Sequence, residues 1–354
     1  MLQGGMAAAP QPPRPDAGSL RHVPDEQICA RRARPIRKRL GTMVLMALLM
    51  LASASMLVPR ASAQTSPPVS PLSTTEIAPG VFVHQGAYAV FAPSNRGDIA
   101  NLSFVIGRDA VAVIDTGGSL AIGQALRAAI RTVTNKPIRY VINTHMHPDH
   151  LFGNAAFADD RPEFIGHHKL ARALAARAER FLTLNAEWLG PDAFAGTRLI
   201  APTRAVADRS IIDLGERELI LEAQPTAHTD NDLTVRDTAS DTLFLGDLLF
   251  MRHVPVLDGS IRGWLALIGR LEQVAAGRVV PGHGPPTAAW PEAAQPQKRY
   301  LERVSADVRR MIKQGRSITE AAATVGLSEK ESWLLFDEFN ARNVTAAFAE
   351  LEWE

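Results

Sequence analysis

The sequence predicts an α/β protein in which two strand-rich halves, each closed by helices, form one four-layered unit. Short runs of Val, Ile and Phe, punctuated by Gly, Pro, Asn or Asp, recur over 81–114 and again over 211–245. A helix-period stretch follows each set, at 120–133 and 264–276. Five His and two Asp fall where such runs end, the usual position of a site in an α/β protein.

Folding begins near Ile77. The segments 81–85, 88–91, 101–106 and 111–114 resemble strands and hairpins. Asp115-Thr116-Gly117-Gly118-Ser119 turns the chain into a helix at 120–133, with Ser119 placed to cap its free N–H groups. An apolar strand at 138–143 leads directly into the His-rich cluster, and a helical stretch covers 167–189. In that stretch Phe181, Leu184 and Trp188 recur at helical spacing and are expected in the core, with His167 and His168 at a solvent-facing helix start. Strands follow at 211–214, 218–222, 233–236 and 242–245, then the 264–276 helix and a short strand at 278–280. From Pro296 the chain is helical to its end. Its 317–335 segment is similar to a helix-turn-helix, but Glu320, Glu329 and Glu331 argue against DNA binding. Such an extension is expected to pack on the α/β body or on a second subunit.

The 354 residues include 46% hydrophobic side chains, enough for one large domain at 77–295 with a helical extension at 296–354. Residues 1–63 stand apart. Arg31, Arg32, Arg34, Arg37, Lys38 and Arg39 precede an apolar run at 43–51, and Ala61-Ser62-Ala63 offers a small-x-small cleavage site, the order of a secretory signal peptide. The apolar run is shorter than the roughly 20 residues of a membrane span, so no stable anchor is expected after leader removal. A Pro/Ser/Thr-rich spacer at 64–76 follows. The predicted location is periplasmic or secreted.

With the nine basic and three acidic residues of the leader set aside, 29 Lys and Arg face 34 Asp and Glu, a net charge of about −5. That balance does not suggest nucleic-acid binding, for which a basic face is expected. The single Cys29 also lies in the leader, which excludes disulfides and thiolate metal ligands from the mature chain.

His145-Met146-His147-Pro148-Asp149-His150 sets four metal-binding side chains within six residues, and His228, Asp247 and His283 follow in turn-like settings. Residues two apart in extended chain point the same way, so His145 and His147 converge on one ion. Asp149 and His150, on the following turn, face a neighbouring ion. Imidazole and carboxylate are the usual ligands of catalytic zinc, which keeps a position open for water.

This pattern of H-x-H-x-D-H, a lone His, Gly-Asp and Gly-His-Gly resembles the metallo-β-lactamase-fold hydrolase superfamily over about 77–284. The resemblance implies an αββα sandwich with a binuclear, usually zinc, site at one edge. It assigns His145, His147 and His228 to the first metal, Asp149, His150 and His283 to the second, and Asp247 to both. Asp115 matches a residue standing behind the ligands, or is a plain turn aspartate. Two divalent ions, two aspartates and one hydroxide leave about +1, on ions that lower the pKa of bound water to roughly 7. The expected chemistry is attack of that hydroxide on a carbonyl-type centre, in an ester, thioester or similar small molecule, with Asp149 orienting it and handling its proton.

Within the superfamily, Asp247 favours glyoxalase-II-like thioesterases and other hydrolases over true β-lactamases. The leader, Asn143-Thr144-His145, the Asp258-Gly259-Ser260 loop ending in Gly263-Trp264, and the Asn343-Val344-Thr345 to Trp353 ending look like the zinc metallohydrolases of quinoprotein relay systems. That implies association with a quinoprotein dehydrogenase system. Two readings from other classes stand beside it, a single-iron persulfide dioxygenase and a non-catalytic metal-binding partner protein. Arg252, His253, Arg262 and Trp264, between Asp247 and the next helix, are candidates for a substrate loop.

Overall fold

The computed structural model describes residues 69–354, so the leader and the start of the spacer lie outside the described residues. Among the described residues twelve strands form two sheets. The first runs, in spatial order, through β1 (Thr75–Ala78), β2 (Val81–His84), β3 (Leu102–Ile106), β4 (Val111–Ile114), β5 (Ile138–Ile142), β6 (Glu163–His167) and β7 (Arg204–Val206). The second has β12 (Arg278–His283), β11 (Thr242–Phe250), β10 (Leu233–Asp237), β9 (Glu218–Ala223) and β8 (Arg209–Asp213).

Strand alternation makes the layers. In β4 all four residues are buried, Ala112 and Ile114 against the second sheet and Val111 and Val113 against α1 (Leu120–Val133). In β11 Phe244 packs between the sheets, and Leu243 and Leu245 face a helical layer of α4 (Ile261–Leu271) and α5 (Gln295–Lys313). Each fully buried aliphatic side chain contributes roughly 1.5–3 kcal/mol. The architecture is the αββα sandwich with C-terminal helices, α6 (Ile318–Thr324) and α7 (Phe336–Leu351) completing the extension. Among the described residues no helix is long and apolar enough to cross a membrane.

The sheets are tied together at one edge. Asn101 N–H donates to Gly282 O at 2.7 Å, and Leu233 N–H donates to Thr144 O at 2.8 Å. Ser119 caps α1 through Ile122 N–H, as its position predicts.

Three expectations need correction. Tyr88 to Phe91 is loop, because its apolar side chains Val90 and Phe91 line a cavity instead of joining a sheet. The helix expected from 167 is α3 (Leu170–Phe194), while His167 ends the unforeseen strand β6 and is buried, its Nδ1 accepting from Lys169 N–H. Burial pushes that imidazole down to about 4. Phe181, Leu184 and Trp188 form a cavity wall, and Trp188 is 49% exposed.

Candidate metal centre

The seven His and Asp side chains meet at the tied edge. The turn after β5 holds His145 and His147, and the four-residue helix α2 (Pro148–Leu151) raises Asp149 and His150. The β9–β10 loop brings His228, β11 brings Asp247 and the end of β12 brings His283. The carbonyl of His150 accepts from Thr116 N–H at 2.8 Å and Asn143 Nδ2 at 3.3 Å, which fixes the short helix in place.

Hydrogen bonds on the outer ring nitrogens assign the tautomers. His228 Nδ1 donates to Val256 O at 2.6 Å, and His147 Nε2 donates to Asp258 Oδ2 at 3.0 Å. Thr144 Oγ1 donates to Asp115 Oδ2 at 2.7 Å and so accepts from His145 Nδ1 at 3.1 Å. The inner nitrogens, His145 Nε2, His147 Nδ1 and His228 Nε2, therefore turn three lone pairs on one point from mutual distances of 3.0, 3.0 and 3.3 Å. Lone pairs so placed repel unless a cation lies between them. Tetrahedral zinc with bonds of about 2.0–2.1 Å sets its ligands about 3.3–3.4 Å apart, so the spacing fits.

The second group is Asp149, His150 and His283. His150 Nδ1 donates to Asp115 Oδ2 at 2.8 Å and His283 Nδ1 to Ile99 O at 2.8 Å, which leaves each Nε2 facing inward. His283 Nε2 lies 3.3 Å from Asp149 Oδ2. Asp247 spans both groups. Its Oδ2 is 3.6 Å and 3.4 Å from the inner nitrogens of His145 and His228, and its Oδ1 is 3.1 Å and 3.4 Å from those of His150 and His283. His150 Nε2 and Asp247 Oδ1 are buried without a hydrogen-bond partner that meets ordinary geometry. Buried orphans of this kind are rare and cost about 1–3 kcal/mol each, and a cation relieves both. Gly282 is required here, since a Cβ would overlap Asp247 Oδ1.

The electrostatics divide the two groups. Burial holds His145 well below its ordinary value and His228 down at about 3, so both are neutral ligands. Burial also opposes charge on His150 and His283, but Asp247 and Asp149 outweigh it and raise both, His283 to about 9. A divalent cation thus competes with protons for the second group.

Asp115 sits in the left-handed backbone region at φ 59°, which aspartate tolerates better than most residues. Its carboxylate accepts from Thr144 N–H, Thr144 Oγ1 and His150 Nδ1, so it orients a ligand.

A cavity of about 780 Å³ opens on Asp149, Asp247 and His283. Of the four substrate-loop candidates only His253 lines it, its ring stacked 5.2 Å from His283. Arg262 points elsewhere and pairs with Glu354 at 3.2 Å, and Arg252 is exposed beside the cavity. Trp264 is fully buried behind the site, 5.3 Å from the His228 ring. Sequence reasoning missed Arg177, Arg180, Phe339 and Arg342, which do line the cavity. It also missed the role of Asp258, which holds His147 and pairs with Arg177. Only the cluster of charged residues on α3 and α7 could have signalled them.

The 253–260 loop that holds Val256 O and Asp258 is fastened by the C-terminal extension. Asn343 accepts from Leu257 N–H at 2.8 Å and donates to Pro255 O at 2.6 Å, and Glu350 accepts from Ser260 Oγ and Ile261 N–H at 2.7 Å each.

A family sequence model described as the metallo-beta-lactamase superfamily matches residues 96–283. The chain is 28% identical over 221 residues to the human acyl-coenzyme A thioesterase MBLAC2, covering 53% of this chain and 74% of that protein, and its bovine counterpart matches equally. The metallo-beta-lactamase from Pontibacter korlensis shares the fold with a TM-score of 0.53 and 22% identity, over 65% of this chain and 99% of that one. With a superfamily match across more than half its length and the ligand set in place, the chain belongs to the metallo-beta-lactamase superfamily of metal-dependent hydrolases.

Proposed function

We propose that this chain is an exported binuclear zinc hydrolase that cleaves a thioester or ester, acting beside a quinoprotein dehydrogenase system. The observation that carries the hydrolase reading is the pair of inward-facing ligand groups joined by Asp247 at the floor of an open cavity. The thioester preference draws support from the acyl-coenzyme A thioesterase relatives. Export draws on the leader at 1–63, and the quinoprotein association on the resemblance of the loop and C-terminal motifs.

Bound at the two groups, zinc ions supply nucleophilic water at neutral pH and polarise a carbonyl oxygen. The protein residues do the rest. Asp149, at the cavity floor, is held low against its burial by the charge on His150 and His283, a part that bound cations would take over, so it is an anion placed to orient water and take its proton. Asp247 keeps both groups in register, and Asp115 and Asp258 fix the rings of His150 and His147. Hydrolysis forms a bond from water oxygen to the carbonyl carbon and breaks the bond to sulfur or alkoxide oxygen. The products are a carboxylate and a thiol or alcohol, one water proton going to that leaving group and the other being released to solvent.

The test is a panel of thioester, ester and lactam substrates offered to zinc-loaded protein and to Asp149→Asn. The reading predicts thioester and ester turnover, with lactam slower. Turnover in the variant is expected to fall by about 100-fold or more, in the range of general acid–base contributions. No turnover of any class, or an unaffected variant, overturns it.

A further inference from the structure

The cavity has two chemically different ends, and α3 runs between them. Arg177 and Arg180 mark one end, then Phe181, Leu184 and Trp188 follow on the same helix face. The eleven steps from Arg177 to Trp188 cover about 16 Å at 1.5 Å per residue.

The first end is cationic. Arg177 pairs with Asp258, and Arg342 of α7 reaches the same carboxylate only at 3.7 Å. Arg180 has no carboxylate partner among the described residues although it lines the cavity. Asp258 and Glu338 are the acids here, so three guanidinium groups face two carboxylates, and Asp258 is already shared with His147. The opposite end is apolar. Trp188 stacks on Phe91 at 6.2 Å and stays half exposed, beside Val90, which is exposed too. A large indole left open on the rim of a cavity is apolar surface awaiting a ligand. The floor follows the same axis. His147 and Asp258 lie toward the arginines, and the loop that carries Phe91 also supplies Ile99 O to His283.

The geometry points to an amphiphilic substrate, an ester or thioester whose reacting carbonyl lies between an apolar group held by Phe91, Leu184 and Trp188 and an anionic group held by Arg180 and Arg342. The nature of the reacting bond rests on the hydrolase reading above, whereas recognition at two ends does not. Arg342 and Phe339 belong to α7, beyond the 96–283 stretch matched by the superfamily, so the C-terminal extension adds selectivity to a shared catalytic floor. Arginine suits the task, because its guanidinium presents paired donors to carboxylate, phosphate or sulfonate.

Binding of inert amphiphiles tests this without turnover. Calorimetry on zinc-loaded protein compares n-octanesulfonate, n-octyl phosphate and octanoate with n-octanol, and ethanesulfonate with octanesulfonate. At least one anion is expected to bind about ten times or more tightly than octanol, the order among the three identifying the head group. Arg180→Gln is expected to cut that preference about tenfold, the scale of one charge-assisted hydrogen bond. Trp188→Ala is expected to erase most of the advantage of octyl over ethyl. Octanol binding as tightly as every anion, or both preferences surviving their variants, overturns the proposal. In parallel, octanoyl thioesters of 3-mercaptopropionate and of mercaptoethanol are compared for kcat/KM, with the anionic one favoured. If neither thioester is cleaved while the binding preferences hold, the hydrolase reading fails and two-ended recognition stands.

Discussion

Replacing Asp115 with Asn changes one oxygen to an amide nitrogen and nothing in shape, yet it strikes the second metal. In the native chain one Asp115 oxygen accepts from Thr144 N–H and the other from Thr144 Oγ1 and His150 Nδ1. An amide has only one acceptor end. If its nitrogen faces His150, the ring must move its proton to Nε2, the nitrogen that faces the second metal group. If the amide is turned over, its nitrogen opposes Thr144 N–H instead. Either way a charge-assisted hydrogen bond of about 1.5–3 kcal/mol is lost. At about 1.4 kcal/mol per tenfold, that weakens second-metal binding roughly 10- to 150-fold. The scale agrees with the roughly 10- to 100-fold range typical of groups standing behind metal ligands. Competition titration against a chelator of known affinity resolves the two dissociation constants. The second is expected to rise by that factor and the first to rise less, because His145 leans on Thr144 and not on Asp115 itself. Both constants within twofold of native would refute the reasoning.

Other substitutions probe the parts that support the site. Asn343→Ala removes a buried amide bonded to Leu257 N–H, Pro255 O and Tyr300 OH. Unpaired buried groups cost about 1–3 kcal/mol, which predicts a fall in Tm of about 4 °C or more by calorimetry, and an unchanged Tm contradicts the fastening of the loop. Gly282→Ala drives a Cβ into Asp247 Oδ1, so metal content after dialysis is expected to fall at both groups, and native metal content would show that the strand yields instead. His84 lies 2.7 Å from both Asp98 Oδ1 and Ser73 O. Burial opposes its charge, but the Asp98 bond and charge outweigh burial and raise it above 6.5. A raised folded pKa gives stability that is full below pH 6.5 and is lost as pH rises through the folded value. Denaturant titrations should therefore find Asp98→Asn more destabilising at about pH 6 than at about pH 9, and an equal loss at both contradicts the ion pair.

The parts of this molecule that were legible in the sequence are those governed by local spacing. Ser119 announces α1 because a cap acts within three residues, and the two-residue interval from His145 to His147 carries their convergence. The αββα layering was readable because strands such as β4 bury both faces and appear as short apolar runs, as does the 243–245 stretch of β11. The cavity was not legible. Trp188 and Phe181 have the helical spacing of core residues, and only the packing of α3 over the metal edge turns that face toward open space. Asp258 and Arg342 are 84 residues apart, joined by contacts of the C-terminal extension that no local pattern encodes. Trp264 misled for the opposite reason, since the helix expected from 264 starts at Ile261 and its first turn carries the indole into the core.

The central claim is a pair of metals held by two groups that share Asp247. Elemental analysis of the purified chain, beside thioesterase activity, tests it most directly. About two zinc per chain are predicted, falling to about one in His150→Ala with activity lost. A single iron per chain in an active protein, or full activity in His150→Ala with one metal, would contradict it.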